Sequence, residues 1–257
     1  MFDLKGKTFV IIGGAGLIGS AFSRAVAQAG GNTVVADMNE EKAQALIAGA
    51  GKDDGELVFE KADISDPESI NALAKRVVER FGQVDGVVNV TYPRTSDYPK
   101  KFDDASQDHV LKNIDLMIGG CLSTIRAFTP QMKKQKSGSI VLLGSIYGVV
   151  APKFDIYNGT DMVNPPGYAA AKGGTIMLAK YFASVLGPDN IRVNAISPGG
   201  VADKQPESFL KAYAKHARIK PGMLAPEDLA GTLVFLFSDA SKKMTGQNLI
   251  VDGGWTI

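Results

Sequence analysis

Cysteine, tryptophan and histidine are scarce in this chain of 257 residues, with one, one and two copies respectively. A disulfide needs two cysteines, so Cys121 cannot form one within the chain, and a reducing compartment fits this composition. A formal net charge of +1 argues against nucleic acid or an anionic membrane as a partner. Uncharged apolar runs stay short of the roughly 18 residues that span a bilayer. These absences favour a globular, cytoplasmic protein.

Metal-binding patterns are absent from the sequence as well. His109 and His216 lie far apart in charged or polar helical stretches, and His, Cys and carboxylate residues show no ligand-like spacing. We therefore expect the site to use no metal.

Short runs rich in β-branched residues alternate with longer amphipathic stretches from end to end. The strand-like runs are 8–12, 33–36, 57–61, 86–90, 139–143, 192–196 and 248–251. The helix-like stretches are 17–30, 40–49, 67–82, 106–134, 168–187 and 226–238. Such alternation predicts an α/β fold, a doubly wound, seven-stranded parallel sheet with helices on both faces. We expect one domain over 1–257, with the cofactor half near 1–145 and the catalytic and substrate loops near 145–225.

A glycine-rich turn follows the first strand, with Gly13, Gly16 and Gly19 spaced by three and Leu17 and Ile18 between the last two. Glycines let the backbone approach a pyrophosphate, and the N-terminus of the following helix offers free N–H groups. The pattern therefore predicts a dinucleotide site.

A carboxylate, Asp37, ends the second strand-like run, where it can accept both hydroxyls of an adenosine ribose and repel a 2′-phosphate. Met38 and Asn39 supply no cation for such a phosphate, so we expect NAD(H) rather than NADP(H). The alternative is that Asp37 caps the helix that starts near Asn39.

The ends of the next two strands carry weaker indications of a cofactor site. Asp63 and Ile64 follow the third strand, where they can contact the adenine edge of a dinucleotide, and Asn89 ends the fourth. The alternative for both polar residues is turn capping, which is common for Asp and Asn at strand ends.

Tyr168 and Lys172 stand four residues apart in a helical stretch, which places a phenol and an ammonium on one helix face. A neighbouring cation favours the phenolate form. Together with the glycine-rich turn, the pair indicates hydride transfer assisted by a tyrosine acid/base, although the same spacing also occurs between ordinary helix neighbours.

Two irregular stretches, 92–104 and 150–166, follow strands and are candidate walls of a substrate site. Arg94 can hold a phosphate or carboxylate, and Tyr147 and Tyr157 can bind hydroxyl groups, which favours a sugar-like substrate. The alternatives are surface variation for the two stretches and a solvated charge for Arg94. The segment 203–220 is expected to be a lid that orders over bound ligand.

These motifs, in this order, resemble the short-chain dehydrogenase/reductase family over nearly the whole chain. The matching segments are the glycine turn, Asp63, Asn89, Ser145, Tyr168-x-x-x-Lys172, 191–199 and 247–254. The resemblance implies a single-domain Rossmann fold and oxidoreduction of an alcohol/carbonyl pair with a nicotinamide cofactor.

The resemblance also implies roles for individual residues. Tyr168 would be the general acid/base, Lys172 would hold the nicotinamide ribose, and Ser145 would bind the substrate oxygen. The backbone at Pro198, Gly199 and Val201 would lie along the nicotinamide.

A quaternary structure is implied in the same way. The helices 106–134 and 168–187 resemble the family's dimer contact, which implies a homodimer or homotetramer, and the apolar end at 255–257 is expected to reach a neighbouring copy.

One departure concerns the family's catalytic Asn, whose helix position holds Met117, with Asn113 one turn earlier as a candidate replacement. Another is the stretch from Asn89 to Tyr92, which keeps only the first residue of the usual motif. An alternative function is therefore a catalytically weakened NAD-binding regulator or partner subunit.

A narrower likeness comes from 92–94, 145–149, 151–154, Tyr157 and 246–254. These segments resemble oxidoreductases of flagellin-glycan and legionaminic-type sugar pathways, which implies a sugar-like (sugar, sugar-phosphate or polyol) substrate.

Overall fold

Seven strands pair in parallel in one sheet within residues 2–52 and 54–257, which the computed structural model describes. Their bounds are β1 Thr8–Ile12, β2 Asn32–Asp37, β3 Leu57–Lys61, β4 Gly86–Asn89, β5 Gly138–Leu143, β6 Ile191–Pro198 and β7 Asn248–Val251. The predicted doubly wound parallel sheet is confirmed, with β6 longer than predicted. Met1 and Asp53, both within the predicted domain range, lie outside the described residues.

Helices connect the strands. In the described part of the chain they are α1 Leu17–Gln28, α2 Glu40–Ala48, α3 Pro67–Phe81, α4 Gln107–Gln135, α5 Pro166–Leu186, α6 Glu207–His216 and α7 Ala230–Phe237. Helix α6 falls inside the segment expected to be a lid and was not among the predicted helices. Among the described residues, no helix combines the length and the apolar character that crossing a bilayer requires.

Two hydrophobic layers hold the helices against opposite faces of the sheet. Val10 packs with α3, α4 and α5 in one layer, whereas its neighbour Ile11 packs with α1 and α7 in the other. Both side chains are fully buried. Because alternate residues of a strand face opposite sides, strands covered on both faces are apolar throughout.

The strand order β3-β2-β1-β4-β5-β6-β7 reverses direction between β1 and β4. The chain leaving β1 and the chain leaving β4 therefore diverge and open a crevice at the carboxyl edge of the sheet, where ligands bind in folds of this kind. Ser145, just after β5, and Pro198, the last residue of β6, lie at the same edge.

Candidate active site

The glycine-rich turn is tied to the sheet by its backbone. The N–H groups of Gly13 and Gly14 donate to the Ala36 carbonyl oxygen at 2.8 and 3.2 Å. Gly13 has a φ of 84°, and a Cβ on Gly19 would lie 1.9 Å from the Gly13 oxygen. Only glycine therefore fits at both positions. Gly16 begins α1 without a side-chain cap, so N–H groups of the first turn remain available for an anion.

Asp37 lies beside this turn. Its Oδ2 accepts a hydrogen bond from the Ala15 N–H and its Oδ1 accepts one from the Asn39 N–H, both at 3.0 Å. The cap of α2 is Asn39, whose side chain accepts from the Lys42 N–H at 2.9 Å. Asp37 is therefore not the helix cap, and its carboxylate holds the glycine turn in place.

A cleft of about 810 Å³ runs along this edge, and we call it the cofactor cleft. Its walls include seven of the residues predicted to bind the cofactor: Gly13, Gly16, Leu17, Ile18, Asp37, Asp63 and Ile64. The cofactor cleft combines glycine backbone, a helix N-terminus without a side-chain cap and the Asp37 carboxylate. These features fit the pyrophosphate and the adenosine ribose of a dinucleotide.

A second cleft, of about 480 Å³, contains Ser145, Tyr168 and Lys172, and we call it the catalytic cleft. Tyr168 and Lys172 are on α5, and Ser145 begins the short turn 146–148 that packs against this helix. A Cβ on Gly148 would lie 2.6 Å from the backbone carbon of Lys172. The missing side chain at position 148 thus allows the close approach of the turn and the helix.

The polar side chains of the catalytic cleft are held by specific contacts. Lys172 is buried, and its Nζ donates to the Leu143 carbonyl oxygen at 2.7 Å and lies 5.6 Å from the centre of the Tyr168 ring. Ser145 Oγ accepts from the Tyr147 N–H at 3.1 Å. The Ser145 hydroxyl hydrogen is therefore left to donate to a ligand. Pro198, Gly199 and Val201 line the same cleft.

A chain of hydroxyl groups lines the catalytic cleft. Asn164 Nδ2 donates to the Tyr157 hydroxyl at 3.2 Å, which donates to the Tyr147 hydroxyl at 3.1 Å. Burial, reinforced by the adjacent Tyr157, raises the pKa of Tyr147 well above its ordinary value. The Tyr147 side chain therefore stays protonated. Its hydroxyl accepts from Tyr157, so its own hydrogen remains free for another acceptor.

Tyr92 stands where the two clefts meet and lines both. Its ring packs edge-on against Tyr168 with 5.3 Å between centroids, and its hydroxyl donates to that of Tyr98. Burial, with Tyr98 beside it, raises the pKa of Tyr92 far above its ordinary value. Sequence reasoning did not place Tyr92 in the cofactor site. The sequence signal for this position is that Tyr92 follows β4 closely, at the point where the strand order reverses.

Asn89 and Asn113 shape loops and are not among the described residues that line either cleft. Asn89 Oδ1 accepts from the N–H and hydroxyl of Thr91 at 3.0 and 2.6 Å. Asn113 Oδ1 accepts from the Thr95 N–H at 3.0 Å, and its Nδ2 donates to the His109 carbonyl oxygen at 2.9 Å. The structure thus does not bring Asn113 to the catalytic pair, because loop 92–104 occupies its amide.

Asn113→Ala is therefore expected to destabilise the fold by about 1–3 kcal/mol, because it removes two hydrogen bonds between the buried Asn113 amide and the half-buried Thr95. The unfolding temperature should fall, and kcat with saturating substrate should stay near that of the parent. Thr95→Val is the matched variant, because it removes only the Thr95 hydroxyl, to which Asn113 Nδ2 donates at 3.0 Å, and keeps the backbone contact. A protein with unchanged stability and a collapsed kcat would instead assign Asn113 to proton transfer.

The structure also locates two other residues that the sequence singled out. Arg94, predicted in the substrate site, lines the cofactor cleft, with its guanidinium carbon 4.9 Å above the centre of the Tyr92 ring. Trp255, expected to reach a neighbouring copy, is fully buried in its own chain, stacked on Tyr213 at 5.7 Å between ring centroids. The cause is α6, whose apolar face supplies the surface that covers the indole.

Comparison with known proteins agrees with this arrangement. Residues 14–256 match a family model of short-chain dehydrogenases described as enoyl-(acyl carrier protein) reductase. The chain is 38% identical to post-translational flagellin modification protein A of Campylobacter coli, over 98% of this chain and 99% of that protein. It is 31% identical to the 3-oxoacyl-(acyl-carrier-protein) reductase FabG of Thermotoga maritima, over 99% of each.

A solved structure shows the same likeness. The crystal structure of a short-chain dehydrogenase from Leptospira borgpetersenii with bound NAD+ matches with a TM-score of 0.86 and 28% identity, covering 99% of this chain and 94% of that one. The glycine turn, the Ser145, Tyr168 and Lys172 cleft, the sheet and these relatives lead to one conclusion: the chain belongs to the short-chain dehydrogenase/reductase family and is a dehydrogenase/reductase.

Proposed function

We propose that this enzyme uses NAD(H) to interconvert a secondary alcohol and a ketone on a sugar-like substrate, with Tyr168 as general acid/base. One observation carries the proposal. The cofactor cleft and the catalytic cleft form a single groove, because they share six wall residues: Leu17, Ile18, Val90, Thr91, Tyr92 and Asp203. A dinucleotide with its adenosine end at Asp37 would extend along that groove toward Tyr168.

The chemistry follows from the groups in the catalytic cleft. The bound nicotinamide cofactor supplies or accepts the hydride at the substrate carbon. Tyr168 removes the proton from the alcohol oxygen during oxidation and returns it during reduction. The Lys172 ammonium stabilises the negative charge that forms on the phenolic oxygen, and the Ser145 hydroxyl donates to the substrate oxygen.

A preference for NAD(H) over NADP(H) rests on Asp37. Its carboxylate lies in the wall of the cofactor cleft, fixed by the Ala15 and Asn39 N–H groups. The cleft residue that follows it is Met38, which carries no charge. A 2′-phosphate at this end would meet a fixed negative charge.

Asp37→Ala is expected to raise the KM for NAD by about 10-fold or more, since a hydrogen bond to a charged group contributes about 1.5–3 kcal/mol. The ratio of kcat/KM for NAD to that for NADP should fall with it. Asp37→Asn is the matched control, because it keeps an acceptor for the Ala15 N–H and removes only the charge. An unchanged cofactor ratio in both variants would refute the role of Asp37.

Support for a sugar-like substrate comes from the hydroxyl groups of the catalytic cleft and from the resemblance of the sequence to oxidoreductases of sugar pathways. The Tyr147 hydroxyl accepts from Tyr157 and keeps its own hydrogen for a ligand oxygen, as polyol recognition requires. The name of the Thermotoga relative points instead to an acyl thioester.

A substrate screen tests the proposal directly. The purified enzyme is assayed by NADH absorbance against hexose phosphates, nucleotide sugars, polyols and an acetoacetyl thioester, in both directions. We expect turnover with a sugar-like compound. Turnover of the thioester alone would overturn the substrate class, and the absence of turnover with every compound would favour a binding role.

Association into a dimer is part of the proposal. Helix α5 exposes Met177, Tyr181 and Val185, which are 60%, 61% and 48% accessible and follow one another at four-residue spacing. Such an apolar stripe on one helix face is typical of a surface that packs against another helix. Two copies meeting through α4 and α5 would cover it.

The double variant Met177→Glu/Tyr181→Glu is expected to be a monomer by light scattering, because it places two carboxylates in the centre of that contact. Lys42→Glu, on the exposed face of α2, is the control and should keep the parent's mass. A parent protein that is itself monomeric would contradict the proposed contact.

A further inference from the structure

A third cavity, of about 770 Å³, adjoins the catalytic cleft and is larger than it. We call it the outer cavity. It lies under the stretch 152–166 and shares five wall residues with the catalytic cleft: Tyr157, Met162, Val163, Asn164 and Pro165. A ligand whose reacting carbon lies at Tyr168 can therefore extend past this shared wall into the outer cavity.

An unused hydrogen-bond acceptor lies in the shared wall. Asn164 Nδ2 donates to the Tyr157 hydroxyl, but Asn164 Oδ1 is buried and has no partner among the described residues. A buried carbonyl oxygen without a donor is unfavourable, so native proteins rarely leave one. Because Asn164 lines both cavities, a ligand O–H or N–H at the shared wall would supply the missing donor.

The rest of the outer cavity offers flat aromatic surfaces. Phe102 and Phe154 line it with 75% and 63% of their surface accessible, and the Phe154 ring lies 6.3 Å from that of Tyr157. Large exposed aromatic side chains around a cavity favour a planar ligand, because π-faces stack.

Polar groups in the wall of the outer cavity further narrow the class of ligand that fits it. Lys101, next to Phe102, supplies a cation, and Asn158 and Thr160 add hydrogen-bonding groups to the wall. An acyl chain would use none of these groups. A phosphorylated ligand with a planar ring would use the cation for its phosphate and the amide and hydroxyl for its ring edges.

We infer that the substrate is a nucleotide-linked sugar, with the sugar in the catalytic cleft and the nucleotide in the outer cavity. This inference rests on the proposed function and names the substrate class of the same site. The diphosphate that links the two parts would extend from the shared wall toward Lys101, and a hydroxyl or amide N–H on the sugar would donate to Asn164 Oδ1.

Calorimetric binding of UDP and of GDP to the enzyme saturated with NAD+ tests the inference without requiring turnover. Saturation with NAD+ fills the dinucleotide groove, so added nucleotide reports on the outer cavity. We expect one of the two to bind, and Phe102→Ala and Phe154→Ala each to weaken it about 10-fold, as loss of a stacking partner does. Phe2→Ala removes a 52% exposed phenylalanine elsewhere and should change nothing.

Kinetics supply the second measurement. In the Phe102→Ala/Phe154→Ala variant the KM for a nucleotide sugar should rise and kcat should stay near that of the parent. UDP and GDP dissociation constants both above about 1 mM, with KM unchanged in this variant, would overturn the inference. So would an acyl-pantetheine that binds and is weakened by the same substitutions.

The inference and the proposed function can fail separately. Turnover of a free sugar phosphate that is indifferent to the Phe102 and Phe154 substitutions overturns the inference and leaves the oxidoreductase intact. Nucleotide binding that depends on these residues, without turnover of any sugar, supports the outer cavity as a nucleotide site and counts against the reaction.

Discussion

Replacing Tyr168 with phenylalanine is expected to lower kcat by about 10²–10⁴-fold, the usual contribution of a placed acid or base. The substitution removes only the hydroxyl. The phenyl ring keeps its edge-on packing against Tyr92 and its position 5.6 Å from Lys172 Nζ, so NADH should bind as in the parent. Steady-state turnover and NADH fluorescence titration measure the two quantities separately.

Tyr181→Phe is the matched control, since it keeps the ring and removes a hydroxyl from a tyrosine of the same helix, α5, that does not line the catalytic cleft. Its kcat should equal that of the parent. If Tyr168→Phe retained full turnover, the proton would have to leave by another group, and the assignment of the acid/base would be lost. A protein serving only as an NAD-binding regulator would show no turnover for either substitution to alter.

Trp255→Ala is expected to destabilise the protein by about 3–5 kcal/mol, as removal of a fully buried tryptophan typically does. The indole stacks on Tyr213, meets the Tyr147 ring edge-on at 5.7 Å between centroids, and lies under Lys153 Nζ at 4.5 Å. Because Tyr147 and Tyr213 line the catalytic cleft, the substrate KM should rise more than the NAD KM.

Thermal unfolding and paired KM measurements check both parts of this expectation, and Trp255→Phe should recover most of the stability because it refills much of the space. A Trp255→Ala protein as stable as the parent, with an altered mass by light scattering, would mean that the indole packs against a second copy, as the sequence first suggested.

The strands could be predicted from local composition because helices cover both faces of the sheet. Val10 and Ile11 are adjacent and both fully buried, so the whole run is apolar and needs no distant information. Helix α6 is different. Its buried residues, Phe209 and Tyr213, are two positions in a polar stretch, and their cover is Trp255, which comes much later in the chain.

The residues of the candidate site also differ in whether local sequence or distant segments determine their positions. Gly13, Asp37 and the pair Tyr168 and Lys172 carry signals in their spacing from a strand or along a helix, and the structure places all of them along one groove. Asn113 depends on the path of loop 92–104. Helical periodicity places it one turn from Met117, but its partner Thr95 comes from a segment without a period, which sequence alone does not position.

The burial of Trp255 has a consequence for synthesis on the ribosome. The strands and turns that form the dinucleotide groove are nearly all made before α6, whereas the catalytic wall at Tyr147 and Tyr213 gains its support only when position 255 has left the exit tunnel. A chain that stops before position 255 therefore leaves Tyr147 and Tyr213 without the indole that packs against both rings, even though all seven strands of the sheet have been made.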